Sequence, residues 1–202
     1  MIRAALAALL LICPGAAFAS PTDCAKATRP PAKTICEDPT LAALDKEASR
    51  LAVLAGSSPQ MTASRKSELA RSEASFRKTL PVCGDAKPCL QRTLVERIFH
   101  LRQVYAEART KDSEGISLGP SVAACPGFDA LISVTFVNSD PALAFLVWRD
   151  KAVVLKQAVA ASGARYTGAY GPGEAQFWNK GQEATVDLPG KPTLNCEIHQ
   201  GG

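Results

Sequence analysis

The spacing of hydrophobic positions changes character part-way along the chain. From Asp38 to about Arg109 it is helical. Asp38-Pro39 supplies an N-cap and a proline at the first helical position, and Leu41, Leu44, Ala48, Leu51 and Ala55 then share one face. Gly56-Ser57-Ser58-Pro59 breaks that helix. A second is expected over Thr62 to Leu80, with Leu69, Phe76 and Leu80 inward and its arginines and glutamates outward. Pro81, Gly84 and Pro88 punctuate the next turn, and Leu90, Leu94, Ile98, Leu101 and Tyr105 mark a third helix. A short helix is also expected to begin at Cys24-Ala25-Lys26-Ala27 and to end at Pro30-Pro31.

From Ala123 the period becomes two. Ala130, Ile132, Val134 and Phe136 alternate with Leu131, Ser133, Thr135 and Val137, and Asn138-Ser139-Asp140-Pro141 makes a turn. Ala142 to Arg149 and Ala152 to Gln157 read as the next strands, and Asp150-Lys151 separates them. Short strands follow at Ala164–Thr167, Gln176–Trp178, Ala184–Leu188 and Thr193–His199. About seven or eight such strands point to a small antiparallel barrel or sandwich. The polar, Gly/Pro-bearing segment 110–122 reads as a linker.

The first nineteen residues resemble a secretory signal. Arg3 gives a positive start, Ala4 to Ile12 an apolar run, and Ala17-Phe18-Ala19 a cleavage site that leaves Ser20 first. The run is too short to span a bilayer, and Ile12 before Cys13 does not suit a lipoprotein signal. The expected protein is therefore periplasmic or secreted, without a membrane span. Six cysteines remain: Cys24, Cys36, Cys83, Cys89, Cys125 and Cys196. An even number in an exported chain, with no Cys-x-x-Cys, points to disulfides rather than metal. A Cys125–Cys196 bridge would close the strand half, while the first four cysteines allow three pairings, including Cys36 with Cys83 or Cys89. The expected architecture is α+β in two domains: a disulfide-tied helical hairpin or bundle over 20–109, the linker 110–122, and an antiparallel barrel of about eight strands over 123–202.

Composition narrows the chemistry. The 202 residues carry a net charge of +4, too mild to argue for nucleic acid, and only two histidines, His100 and His199. Charge is uneven: 20–122 hold 16 basic and 12 acidic residues, and 123–202 hold 6 and 7. Ser75-Phe76-Arg77-Lys78 matches the S-x-x-K of penicillin-recognising enzymes, but their S-D-N and K-T-G elements are missing. Neither histidine has a nucleophile suggested by spacing. No cofactor or metal is expected. Two loops of the strand half are more specific, Ala161-Ser162-Gly163-Ala164-Arg165-Tyr166 and Phe177-Trp178-Asn179-Lys180-Gly181-Gln182-Glu183-Ala184. The plain reading makes them hairpin turns with Gly163 and Gly181 at positive φ and with Tyr166 and Trp178 in the core.

Those two stretches carry a resemblance. With Cys125, the strand Ile132-Ser133-Val134-Thr135-Phe136 and Cys196, they make residues 125–196 similar to the MliC/PliC family of inhibitors of C-type lysozyme. Residues 24–101 resemble the N-terminal domain of the LprI family. The resemblance rests on Cys24-Ala25-Lys26-Ala27, on Ile35-Cys36 followed by Asp38-Pro39, Leu41 and Leu44-Asp45, and on Cys83 and Cys89. The first resemblance implies an eight-stranded barrel, a C-type lysozyme as protein partner, and no enzymatic activity. It also implies a loop that enters the lysozyme cleft, with Ser162 and Lys180 reaching the two catalytic carboxyls, and contacts from Gly163, Arg165, Tyr166 and Gly181. Residues 167–176 separate the two motifs by more than the family leads one to expect, so a longer insert carrying Tyr170 is a further expected contact. Two other readings stay open: a non-inhibitory envelope protein that binds glycan or a partner protein, and an enzyme with a Ser162–Lys180 dyad. Oligomeric state and the target lysozyme are left open.

Overall fold

In the computed structural model, residues 20–109 and 113–199 are described. The expected signal segment 1–19 and the first residues of the expected linker, 110–112, lie outside the described residues. Among the described residues, five helices precede eight strands. The helices are α1 (Ala32–Glu37), α2 (Pro39–Gly56), α3 (Ala63–Cys83), α4 (Lys87–Val104) and α5 (Ala106–Arg109). Asp38 caps α2 as its sequence implies: the carboxylate accepts from the amides of Thr40 and Leu41. Leu41, Leu44, Ala48, Leu51 and Ala55 on α2 are all buried, as are Leu69, Phe76 and Leu80 on α3 and Leu90, Leu94, Ile98 and Leu101 on α4.

Two local expectations fail. Residues 24–26 form a turn, not a helix, and the short helix starts after Pro30-Pro31 instead of ending there. Proline fits a helix start, where its missing N–H costs nothing, and disfavours helix in the residue before it. Pro81 does not end the second helix either. It lies in the last turn of α3, which runs on to Cys83 and stops at Gly84, a residue with φ +57°.

The strands are β1 (Ser117–Ala124), β2 (Ile132–Val137), β3 (Leu143–Trp148), β4 (Lys151–Ala158), β5 (Ala164–Tyr170), β6 (Gly173–Lys180), β7 (Glu183–Asp187) and β8 (Leu194–His199). They close in chain order into an antiparallel barrel, with β8 pairing back onto β1. Closure leaves no free sheet edge. Phe136, Tyr166 and Phe177 pack with ring centroids 5.8–6.4 Å apart among Ile132, Val134, Leu146 and Leu155.

The linker expectation is corrected at its second half, because β1 begins at Ser117. Gly119 and Pro120, which read as loop residues, sit at a register shift where β1 bulges against β2. A Cβ on Gly119, at φ +97°, would come within 2.6 Å of the Val134 carbonyl, so the bulge requires glycine. The two halves also share a core. Val137, Leu143 and Phe145 point out of the barrel and belong to one buried cluster with Leu44, Leu94 and Ile98 of the helices. Phe99 meets Phe145 edge-on at 5.6 Å. This explains the unbroken apolar run of β3, which is buried on both faces.

The disulfides are Cys24–Cys36, Cys83–Cys89 and Cys125–Cys196. The last closes the barrel half as expected. The possibility that Cys36 reaches Cys83 or Cys89 is overturned, since each helical bridge is local. Side-chain ion pairs add further ties between the helices. Arg77 on α3 bonds Asp45 on α2 at 3.0 Å and Glu73 at 2.8 Å, and Arg97 on α4 bonds Glu73 at 2.9 Å.

Candidate functional site

Alternation along β5 and β6 sorts the side chains of the two motif stretches. Tyr166 and Phe177 point into the barrel; Arg165, Gln176, Trp178 and Lys180 point out. Ala164 pairs with Asn179 across the hairpin. Ser162, two residues before Ala164, and Lys180, one after Asn179, therefore emerge at the same rim of the barrel. Both are exposed. The loop carrying Ser162 runs between β4 and β5, and the Gly181-Gln182 turn follows Lys180 between β6 and β7.

Both loops are held. The indole Nε1 of Trp178 donates to the Ser162 carbonyl at 2.8 Å. Gly163 has φ +68°, and a Cβ there would lie 2.4 Å from the Asn179 carbonyl, so the loop lies flat on β6 only because residue 163 is glycine. The Ile198 amide donates to the Gln182 carbonyl at 2.7 Å and pins the second turn to β8. Trp178 is thus an anchor at the surface, 38% exposed, and not the core residue its apolar setting implied.

The other expected contact residues scatter. Tyr166 is buried inside the barrel, so it can support the loop but offers no surface. Arg165 is on the outer face and bonds the Gln176 carboxamide; Gln176 in turn donates to Asp187 at 2.6 Å. Gly181, at φ +65°, forms the exposed turn. Residues 167–176 are no irregular insert. They pair throughout as the hairpin of β5 and β6, from Thr167–Gln176 to Tyr170–Gly173. The extra length is therefore strand, which sends Tyr170 to the far end of the barrel, roughly 20 Å from Ala164 at the usual rise per residue. There its ring packs 5.5 Å from that of Trp148.

Lys180 and Trp178 also border a feature that spacing did not reveal. An open groove of about 980 Å³ runs over β6, β7 and β8 beneath the loop joining β1 to β2, and Phe128 and Leu131 are on its other wall. Leu131 is 63% exposed. Glu183, Glu197 and Asp129 line it as well, and Asp129 is paired with Arg149 at 2.6 Å. The alternating pattern at Ala130-Leu131 carried a trace of this, because it left one leucine on the wet face.

The remaining candidates do not assemble. Ser75 and Lys78 lie exposed on α3, one each side of the buried Phe76. His100 is on α4, its Nδ1 3.4 Å from Arg97 Nη1. Partial burial and the Arg97 charge hold its pKa below the usual histidine value. His199 is exposed at the end of β8. Among the described residues no group of three or more His, Cys, Asp or Glu is arranged to hold a metal ion, and no helix is long and apolar enough to cross a membrane.

A closed small barrel with a stapling disulfide and two anchored loops on one rim is the geometry to set beside known families. Residues 124–195 match the MliC family, described as membrane-bound lysozyme-inhibitor of c-type lysozyme. The MliC match spans β1's last residue to the second residue of β8, so it takes in Cys125 and both loops but none of the helices. The barrel half is thereby similar to inhibitors of c-type lysozyme. Searches of curated proteins and of solved structures found no match for the chain.

Proposed function

We propose that this chain is an exported inhibitor of c-type lysozyme that inserts the rim bearing Ser162 and Lys180 into the enzyme's active-site cleft. The observation that carries the reading is the β5–β6 register. It supports the reading by ending β5 and β6 beside each other, next to Ser162 and Lys180, with the Ser162 loop held by Trp178 and Gly163 and the turn after Lys180 by the Ile198 amide. C-type lysozyme works with two carboxyls, one kept protonated as the acid and one ionised. An ammonium against the ionised carboxylate makes a charge-assisted hydrogen bond in a cleft that excludes water. A hydroxyl can donate and accept, which suits the protonated partner. Sugar is then excluded without any chemistry by the inhibitor. Because both loops are fixed beforehand, little ordering entropy opposes binding.

Export to the periplasm or beyond rests on the signal-like residues 1–19 and on three disulfides, which persist in oxidising compartments. The helical half, with its LprI-like pattern, serves in this reading as a docking or second inhibitory module. A serine–lysine enzyme is disfavoured by the exposure of Lys180, since such a lysine is activated by desolvation. One observation favours a second reading. The groove offers Trp178 beside Thr185, Asn195 and Glu197, an aromatic face among hydrogen-bonding groups, which suits a glycan-binding envelope protein.

The deciding experiment titrates the protein and its Lys180→Ala variant against bacterial cell-wall lysis by a c-type lysozyme. Inhibition by the parent, weakened at least about thirtyfold by the substitution, is the expected result. Equal inhibition by both moves the activity off this rim. No inhibition by either, with binding of soluble cell-wall glycan, establishes the second reading.

A further inference from the structure

We infer that Val159 is a third contact residue of the inhibitory rim, an apolar tip that packs against the wall of the lysozyme cleft beside the polar pair. The inference rests on the function proposed above and extends it to a residue outside both motif stretches. Val159 opens the loop 159–163, and the residue is 93% exposed. A lone exposed hydrophobic residue is ordinary on a protein surface, so exposure alone carries nothing. Its position does.

The loop is short and fixed at both ends. On one side Ala158 pairs with Arg165, and the Gln157 amide donates to the Ala142 carbonyl at 2.8 Å. On the other, Ser162 is bonded by Trp178 and Gly163 lies against Asn179. Val159 and Ser162 are three residues apart, so no more than about 11 Å of chain separates them. A cleft that closes on the Ser162 hydroxyl therefore has Val159 within about 11 Å of that contact. Ligand clefts are lined mostly by apolar groups with a few placed polar ones, and Val159 supplies the apolar counterpart that Ser162 and Lys180 lack. Valine suits the task. Its branched β-carbon restricts χ1, so little rotamer freedom is lost on binding.

The test measures inhibition constants of the full-length exported protein against a c-type lysozyme for the parent, Val159→Ser, Val159→Ile and Lys180→Ala, with thermal melts of each. Because Val159 faces solvent, neither of its substitutions is expected to move the melting temperature. Val159→Ser is expected to weaken inhibition about tenfold, and Val159→Ile to retain it. Parent-like inhibition by Val159→Ser, alongside loss in Lys180→Ala, overturns the inference and leaves the proposed function standing. A parent protein that does not inhibit overturns the function, and the inference falls with it.

Discussion

Glu47 on α2 hydrogen-bonds Ser117 at the start of β1, across 70 positions of sequence. The carboxylate accepts from the Ser117 amide at 3.2 Å and from its hydroxyl, and Arg50 closes on the same group at 2.8 Å. Arg102 on α4 reaches β1 from the other side, donating to the Gly119 carbonyl at 2.7 Å and to the Ser117 hydroxyl at 3.3 Å. All three of Glu47, Arg102 and Ser117 are buried. The first residues of the barrel are therefore clamped by two helices.

The clamp is expected to be sensitive to acid. Burial pushes the Glu47 carboxyl up, but the hydrogen bonds from Arg50 and Ser117 outweigh it and leave the folded pKa below the ordinary 4.5. A carboxyl with a depressed folded pKa contributes stability that is present above its unfolded pKa and lost as pH falls through the folded one. Glu47→Gln should thus lower stability in urea melts at pH 7 and converge on the parent well below pH 4.5. A constant difference across that range would show that the charge is not what holds β1.

A shared core makes a second prediction. Phe145 is a barrel residue whose ring packs among helices, so Phe145→Ala removes contacts on both sides of the interface. It should cost about 3–5 kcal/mol. Helical circular dichroism and the fluorescence of Trp148 and Trp178 should be lost in one coincident transition in both proteins. Two separate transitions would mean that the halves fold independently despite the common cluster.

How much of this was legible in the sequence depends on how local the cause is. The faces of α2, α3 and α4 follow from side-chain period, and seven of the eight strands from alternation, apolar runs and the turn residues between them. β1 was hidden, since its Gly119-Pro120 pair is identical to loop punctuation until β2 is placed beside it and the bulge appears. The helical disulfides were open for the same reason: pairing depends on how chain ends meet in space. At the site, Ser162 and Lys180 came from motif resemblance, and only the strand register brings them to one rim. Trp178, a large aromatic beside Phe177, reads as core, whereas alternation turns it outward to hold the Ser162 loop. Length between motifs does not distinguish an insert from a longer hairpin, so the sequence does not show which end of the barrel Tyr170 takes.

Gly163 offers a test of loop rigidity that leaves the polar pair untouched. Alanine there must find room for a Cβ that falls 2.4 Å from the Asn179 carbonyl, at a φ that L-residues rarely adopt. Backbone oxygen cannot rotate away as a side chain can, so the loop must lift from β6 and stretch the Trp178 bond. Gly163→Ala should weaken lysozyme inhibition by at least about tenfold while lowering the melting temperature by only a few degrees, since the barrel interior is unchanged. Parent-like inhibition would mean that the loop needs no preset shape to bind.

The three disulfides should differ in worth, and in a way that reports on the barrel. Cys125–Cys196 spans 71 positions and Cys83–Cys89 spans 6. On chain-entropy grounds the first should contribute about 4 kcal/mol and the second about 2. Local effects add to the contrast. Cys83–Cys89 joins two helices already turned by Gly84 and tied through Arg97 and Glu73, whereas Cys125–Cys196 fixes the β1–β2 loop over β8, where both cysteines line the groove beside Lys180. Replacing Cys125 and Cys196 together by alanine should therefore destabilise the protein about twice as much, in kcal/mol, as the same change at Cys83 and Cys89. It should also loosen the loop that carries Leu131. Guanidinium melts of the two double variants, read by tryptophan fluorescence, make the comparison. An equal loss in both would argue that the barrel stays closed through its strand pairing alone.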